Sequence, residues 1–223
     1  GAIVAALYAC GYRAAEIRTL VESVSLPDLI DIQIKMPGFM KKEVKSFVQD
    51  QLRFISSLPM GLISGAKIDK LFTGLWQNRT VQDTAIPLAI TAVDVYSGDT
   101  VFFVTPLKHR RKIENARYYI QTMIADAVRA SISIPATFVP LEFADMQLVD
   151  GGLKSIVPIT AQKVMGAEYI MAVNLGEGYY QQQAGGIPDI ISRSISILTY
   201  ETSETEQRLF AGLVIRPQVK SVR

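Results

Sequence analysis

The chain has 223 residues, 49% of them hydrophobic and 20% charged, enough for one α/β domain with a substantial core. So high an apolar fraction excludes a disordered chain, and no stretch reaches the roughly 20 consecutive apolar residues of a membrane span. The 23 Lys and Arg against 21 Asp and Glu leave a net charge of +2, which excludes nucleic-acid binding through bulk charge.

The first element is Ala2 to Gly11, Ala-rich and without charge on any side, which predicts a buried helix stopped at Gly11. A second, amphipathic helix follows over 13–23, with Pro27 as the break. Val44, Phe47, Val48, Leu52 and Ile55 recur at helical spacing beside Lys41, Lys42 and Lys45, predicting a helix over 41–57. Gly61-Leu62-Ile63-Ser64-Gly65 reads as a loop leading into a short helix with Leu71, Leu75 and Trp76. From Ile86 the pattern becomes β-rich through Val93, with Pro87 at its start. Tyr96 to Asp99 is a turn, and Val101 to Val104 a second strand. Glu114 to Ser131 reads as one long helix that Pro135 terminates. Leu148-Val149 is a short strand running into Asp150-Gly151-Gly152. Ile159 to Met165 is helical, and Tyr169 to Val173 is an uninterrupted apolar strand, the pattern expected when helices cover both faces of a sheet. A polar loop over 176–186, a helix over 190–211 and a last strand at Leu213-Val214-Ile215 complete the chain. Strands alternate with helices and no linker interrupts them, so a single α/β domain is expected.

Four features could carry chemistry. Asp150-Gly151-Gly152 follows a strand directly. It reads as an ordinary turn, since Asp and Gly are favoured there, or as a carboxylate at a sheet edge where glycines admit substrate closely. The helix end Ala127 to Ser131 before Ile134-Pro135 reads as packing, and its Arg129 is more often a surface or salt-bridged residue than a catalytic one. The basic run 108–112 is a solvated loop or a contact for anionic lipid headgroups. With this run goes a second basic stretch, Lys35 to Lys45, whose interleaved Met36, Phe39 and Met40 give the composition of an interfacial segment or of a helix packed on its own domain. The single cysteine, Cys10, excludes an intramolecular disulfide and a Cys-based cluster, and the single histidine, His109, excludes a multi-His zinc site.

The fourth feature is the start, Gly1 to Gly11. Taken with Gly61-Leu62-Ile63-Ser64-Gly65, Ile86 to Asp94, Ser97-Gly98-Asp99, Ala127 to Pro135, Leu148-Val149-Asp150-Gly151-Gly152 and Val214 to Pro217, in that order, it resembles the patatin-like phospholipases, in particular their bacterial members. The resemblance covers nearly the whole chain. It implies a three-layer α/β fold with a mostly parallel central sheet, one domain over 1–223 with a core over 1–175 and a C-terminal helix and strand over 187–217. In that family a strand ends in a G-x-S-x-G nucleophile elbow whose last glycine opens a helix like Gly1 to Gly11. Gly1 then matches the elbow's last glycine, and the nucleophilic serine, the glycine-rich oxyanion loop and their strands belong before it. On this expectation the domain is incomplete at its N-terminus and the chain alone is inactive.

The implied activity is that of a serine hydrolase with a Ser-Asp dyad, cleaving acyl esters of phospholipids or lysophospholipids without metal or cofactor. Asp150 matches the catalytic aspartate, and Gly151 and Gly152 complete its motif. A histidine-mediated triad needs a histidine between acid and serine, and His109 sits in a basic run without a motif; an aspartate in direct contact needs none. An ordinary aspartate, with a pKa near ~4, is a weak base, so burial near Leu148, Val149 and Leu153 is expected to raise it. The implied partners are an acyl-ester substrate and the surface of a membrane, with no nucleic acid, and the implied place is the cytoplasm, peripheral to the membrane. The alternative is a non-catalytic lipid-binding or regulatory module on the same fold.

Overall fold

The computed structural model describes residues 1–25, 29, 31, 60–106, 113–176 and 187–217. The expected helix over 41–57, the Lys35–Lys45 segment, the basic run with His109 and the loop residues 177–186 lie outside the described residues.

Helix α1 (Ala2–Ala9) and helix α2 (Ala14–Ser23) open the chain as expected. Burial of α1 is one-sided: Ala6, Leu7 and Ala9 are buried, whereas Val4 and Tyr8 are at least half exposed. The start of α2 is capped by Glu16, whose carboxylate accepts the Arg13 N–H at 2.7 Å.

The expected loop at 61–65 instead begins with a strand, β1 (Gly61–Ile63), paired in parallel with β5 (Ala136–Phe138). Gly61 permits the pairing, because a Cβ there would lie 2.3 Å from the Phe138 carbonyl carbon. Three residues are too few for periodicity to separate strand from loop. Helix α3 (Ala66–Trp76) then buries Ile68, Phe72 and Trp76, four residues apart and so on one face, with the last two rings 5.1 Å apart.

The central sheet has five strands in the order β4-β3-β2-β7-β6. These are β2 (Ala89–Asp94), β3 (Thr100–Val104), β4 (Ala116–Tyr119), β6 (Leu141–Phe143) and β7 (Met146–Asp150). The long helix expected from Glu114 is thus two elements, β4 and helix α4 (Ile124–Ser131). Aromatic pairing decides the difference: Tyr118 stacks on Phe102 at 5.3 Å and Tyr119 lies 6.1 Å from Phe103 across the β3–β4 ladder.

The α/β class holds, but the sense of the sheet differs from the mostly parallel one expected. Only β3–β4 is parallel; β2–β3, β2–β7 and β6–β7 are antiparallel. The reason is the connections. Residues 95–99 join β2 to β3, and Ala144 and Asp145 alone join β6 to β7, turns too short for a parallel crossover. Asp94 builds the first turn by accepting from the Ser97 hydroxyl at 2.7 Å and from the Tyr96 and Ser97 N–H groups.

Three layers result. Ile90, Ala92, Val101, Phe103, Met146 and Leu148 share one core with α1, α3 and α4. On the opposite face Phe102 packs with Ala161 and Val164 of helix α5 (Ile159–Val164). Beyond them, β8 (Met171–Val173) pairs in parallel with β9 (Leu213–Ile215), and helix α6 (Ile187–Phe210) joins the two. Helices were expected to cover both faces of β8, yet Met171 and Val173 are 58% and 51% exposed while Ala172 is buried.

Gly61→Ala should destabilise the protein by about 1–3 kcal/mol, because the new methyl meets backbone that cannot rotate away. Gly74→Ala, on an exposed face of α3 with open space around it, should be neutral or stabilising by up to about 1 kcal/mol. Urea unfolding of both variants checks the pair.

Candidate functional site

Residues of β7 are in register with β2: Leu148 opposite Asp94, Val149 opposite Val93, Asp150 opposite Ala92. Side chains alternate along a strand, so Asp150 shares the face of Met146 and Leu148, the face that packs α1 and α4. Its N–H donates to the Ser133 carbonyl at 2.9 Å, which ties the strand end to the segment after α4. The chain then tightens into a single 3-10 turn, Gly151–Leu153, and the Asp150 carboxylate accepts the Gly152 N–H at 2.7 Å.

The glycines have separate reasons. A Cβ on Gly151 would lie 2.4 Å from Thr91 Oγ1 and 2.5 Å from its carbonyl oxygen, so only glycine lets the turn rest on β2. A Cβ on Gly152 would lie 3.1 Å from Asp150 Oδ1, crowding the carboxylate itself.

A cleft of about 550 Å³ opens over this turn, within the range of small-molecule sites. Gly1, Ala2 and Ala5 of the first helical turn form one side. Ile132 and Ile134 form another, and Asp150, Gly152 and Ile156 a third. Among the described residues that line it, Asp150 has the only charged side chain. Gly1, Asp150 and Gly152, three of the residues singled out from the sequence, thus meet around one space. Gly151 is buried against Thr91 and does not line it.

Burial pushes the Asp150 carboxyl above the ordinary carboxylate value; the hydrogen bond from the Gly152 N–H opposes this without cancelling it. The expected rise is therefore present. Asp94 goes the other way. Burial would raise it, but hydrogen bonds from Ser97 and from the Tyr96 and Ser97 N–H groups hold it below its ordinary value.

Behind the cleft stands Arg129, 4% exposed. Its Nη1 donates to Ser133 Oγ at 2.5 Å, and Nη2 to the carbonyls of Ser64 at 2.9 Å and Val139 at 3.1 Å. Nε pairs with Asp69 at 2.9 Å, and the guanidinium lies 5.5 Å from the Phe138 ring centre. The salt-bridged reading of Arg129 holds. Ser64 also donates to Asp31, whose carboxylate accepts the Gly65 N–H at 3.0 Å and the Ala66 N–H at 3.1 Å at the start of α3. Sequence reasoning missed Ser133, Thr91 and Ser155. The signal for the first was Arg129 and Ser133 four apart at a helix end, which brings the two side chains together; the others had none. Among the described residues no group of three or more His, Cys, Asp or Glu could hold a metal ion, and no helix is long and apolar enough to cross a membrane.

Arg129→Ala should cost about 3 kcal/mol or more, since it leaves two carbonyls and the Ser133 hydroxyl without their donor. Arg129→Lys should recover little, because an ammonium cannot span the same acceptors. Chemical unfolding measures both. The pH dependence has two opposite parts. The raised Asp150 carboxyl makes the native state bind its proton more tightly, so this group's contribution falls as pH rises from 3.8 through the native value. The lowered Asp94 carboxyl adds stability above 3.8 that is lost as pH falls through its native value. Asp150→Asn should therefore flatten stability in the window above 3.8, read by thermal unfolding across pH, while Asp94→Asn should flatten it in the window below.

Comparison with known proteins agrees with this architecture. A family model described as patatin-like phospholipase matches residues 1–161. The uncharacterized NTE family protein Rv2565 of Mycobacterium tuberculosis is 26% identical over 132 residues, 59% of this chain and 20% of that protein. An uncharacterized NTE family protein of Mycobacterium bovis matches to the same extent. The uncharacterized protein YqhO of Bacillus subtilis is 29% identical over 170 residues, 71% of this chain and 53% of that protein. The chain thus spans about a fifth of the mycobacterial relatives and about half of YqhO. With most of its length matched by the family model, the chain belongs to the patatin-like phospholipase family.

Proposed function

We propose that the whole protein is a lipid acyl hydrolase in which Asp150 is the base of a Ser-Asp dyad and the serine stands two positions before Gly1. One observation carries this reading: Gly1 and Asp150, the sole charged side chain among the described residues of the cleft, line the same space. Gly1, at the start of α1, borders the space into which the carboxylate faces, which supports a serine close ahead of it as the dyad partner.

In the forward step the serine hydroxyl gives its proton to Asp150 as its oxygen attacks the ester carbonyl. Collapse of the tetrahedral intermediate breaks the bond to the alcohol, which takes the proton from Asp150 and leaves an acyl-enzyme. Water then attacks the acyl carbon, its proton passing to Asp150 and on to the serine oxygen as the fatty acid departs. A base with a raised pKa suits both directions, since it takes a proton readily and returns it near neutral pH. Family membership supports a lipid ester as substrate. The apolar walls Ile90, Ile132, Ile134 and Ile156 suit an acyl chain, and the partial exposure of Ile134 and Ile156 suits entry from a phospholipid or lysophospholipid surface. A free thiol at Cys10 fits a cytoplasmic protein acting at the membrane periphery.

The test uses the protein extended through the segment before Gly1. It should be labelled by a fluorophosphonate and hydrolyse short acyl esters. Asp150→Asn should lower kcat by about 10²–10⁴-fold, and kcat/KM should rise with pH through a value above the ordinary carboxylate range. Full activity in Asp150→Ala sinks the dyad. No serine two positions before Gly1 would leave a non-catalytic lipid-binding module as the reading.

A further inference from the structure

The matched family region ends at residue 161, yet α6, well beyond it, reaches back to the Asp150 turn. The buried stripe of its last turns is polar: Ser203 and Gln207 are each 1% exposed. Ser203 Oγ accepts the Val157 N–H at 3.3 Å, and Gln207 links Ser203 to Asn174. Glu206 lies 2.6 Å from Ser155 Oγ and 3.0 Å from Thr160 Oγ1, one carboxylate oxygen for each hydroxyl. Ser155 in turn lines the cleft, and its N–H donates to the Gly151 carbonyl at 3.2 Å. An unbroken series of hydrogen bonds therefore runs from Glu206 through Ser155 to the turn that holds Asp150.

We propose that Glu206 is a positioning residue for the Asp150 turn, clamping Ser155 and Thr160 so that Gly151–Leu153 stays seated on β2. The inference rests on the reading of Asp150 as the catalytic base. The carboxylate is a fitting clamp because it accepts two hydrogen bonds at once, and charge-assisted bonds are the stronger kind. Hydrophobic packing of α6 could hold the layer together but not fix the height of a 3-10 turn; directional bonds do. Ser203 holding Val157 supplies the second anchor, on the far side of Ser155 from the glycines. Glu206 does not line the cleft, so it acts through the backbone and not on the reacting atoms.

The experiment follows no catalysis and uses the protein extended through the segment before Gly1. The titration of the Asp150 carboxyl carbon and the exchange of the Gly152 amide are followed by NMR. The Gly152 N–H that already faces Asp150 is common to all variants. In Glu206→Ala the loosened turn should admit water, so Asp150 titrates at lower pH than in the native protein and Gly152 exchanges about tenfold faster or more. Glu206→Gln, which keeps one good acceptor, should lie between. Glu201→Ala, exposed on the same helix, should change neither reading. Native titration and exchange in a folded Glu206→Ala would overturn the proposal. Should that variant not fold, Ser155→Ala removes only the hydroxyl at the far end of the clamp. The same two shifts are expected there, and native values overturn the proposal equally. An extended protein lacking hydrolase activity would sink the dyad and leave these readings unchanged, so the two failures are distinct.

Discussion

A guanidinium buried to 4% exposure must be surrounded by acceptors, and Arg129 meets that need by joining segments far apart in sequence. It binds the Ser64 carbonyl before α3, Asp69 within α3, the Val139 carbonyl after β5 and Ser133 after its own helix. Each contact is a directional bond to a fixed charge, so the four segments can meet in only one arrangement. Ser133 is also the residue whose carbonyl receives the Asp150 N–H. The placement of the acidic side chain thus depends on an interaction one residue removed from it.

That placement sets the electrostatics. Asp150 sits at a strand end, on the face covered by α1, with a single N–H from Gly152 as its close hydrogen-bond donor. Asp94 is buried more deeply by exposure but accepts from two N–H groups and a hydroxyl within one turn. The two carboxylates stand on the same face, at opposite ends of the antiparallel β2–β7 pairing, and shift in opposite directions. Donor number separates them: a turn with several hydrogen-bond donors stabilises charge, and a one-donor pocket does not. Asp94 shapes the hairpin, and Asp150 is left with the higher proton affinity that a base requires.

The C-terminal part of the chain adds a polar brace to this frame. Most helices dock through apolar stripes, whereas the last turns of α6 dock through Ser203, Glu206 and Gln207. A polar stripe costs more to desolvate but accepts one register only. The β8–β9 pair is different again, with apolar side chains outward at Met171 and Val173 and the small Ala172 inward.

Much of this was legible in the sequence wherever the signal was local. The all-apolar start of α1, the short helix holding Leu71, Leu75 and Trp76, the β-rich run from Ile86 and the Asp-Gly-Gly turn each follow from neighbouring residues, and the ordered motifs together pointed to the family. Local signals failed where partners decide the outcome. Ala116 to Tyr119 has no period that excludes a helix, and it becomes a strand because Phe102 and Phe103 offer rings to stack on. Gly61 to Ile63 is a strand only because Phe138 lies alongside. The sequence by itself determined which residues could act: one acidic motif, a cysteine and histidine inventory that excludes multi-Cys and multi-His metal sites, and an apolar helix led by glycine. Only the tertiary structure decided that Gly1 and Asp150 share a cleft, that Thr91 forces glycine at 151, and that Glu206 reaches the turn from 51 residues beyond Ser155. Those are long-range contacts, set by how helices and sheet pack, and no local pattern along a chain encodes them.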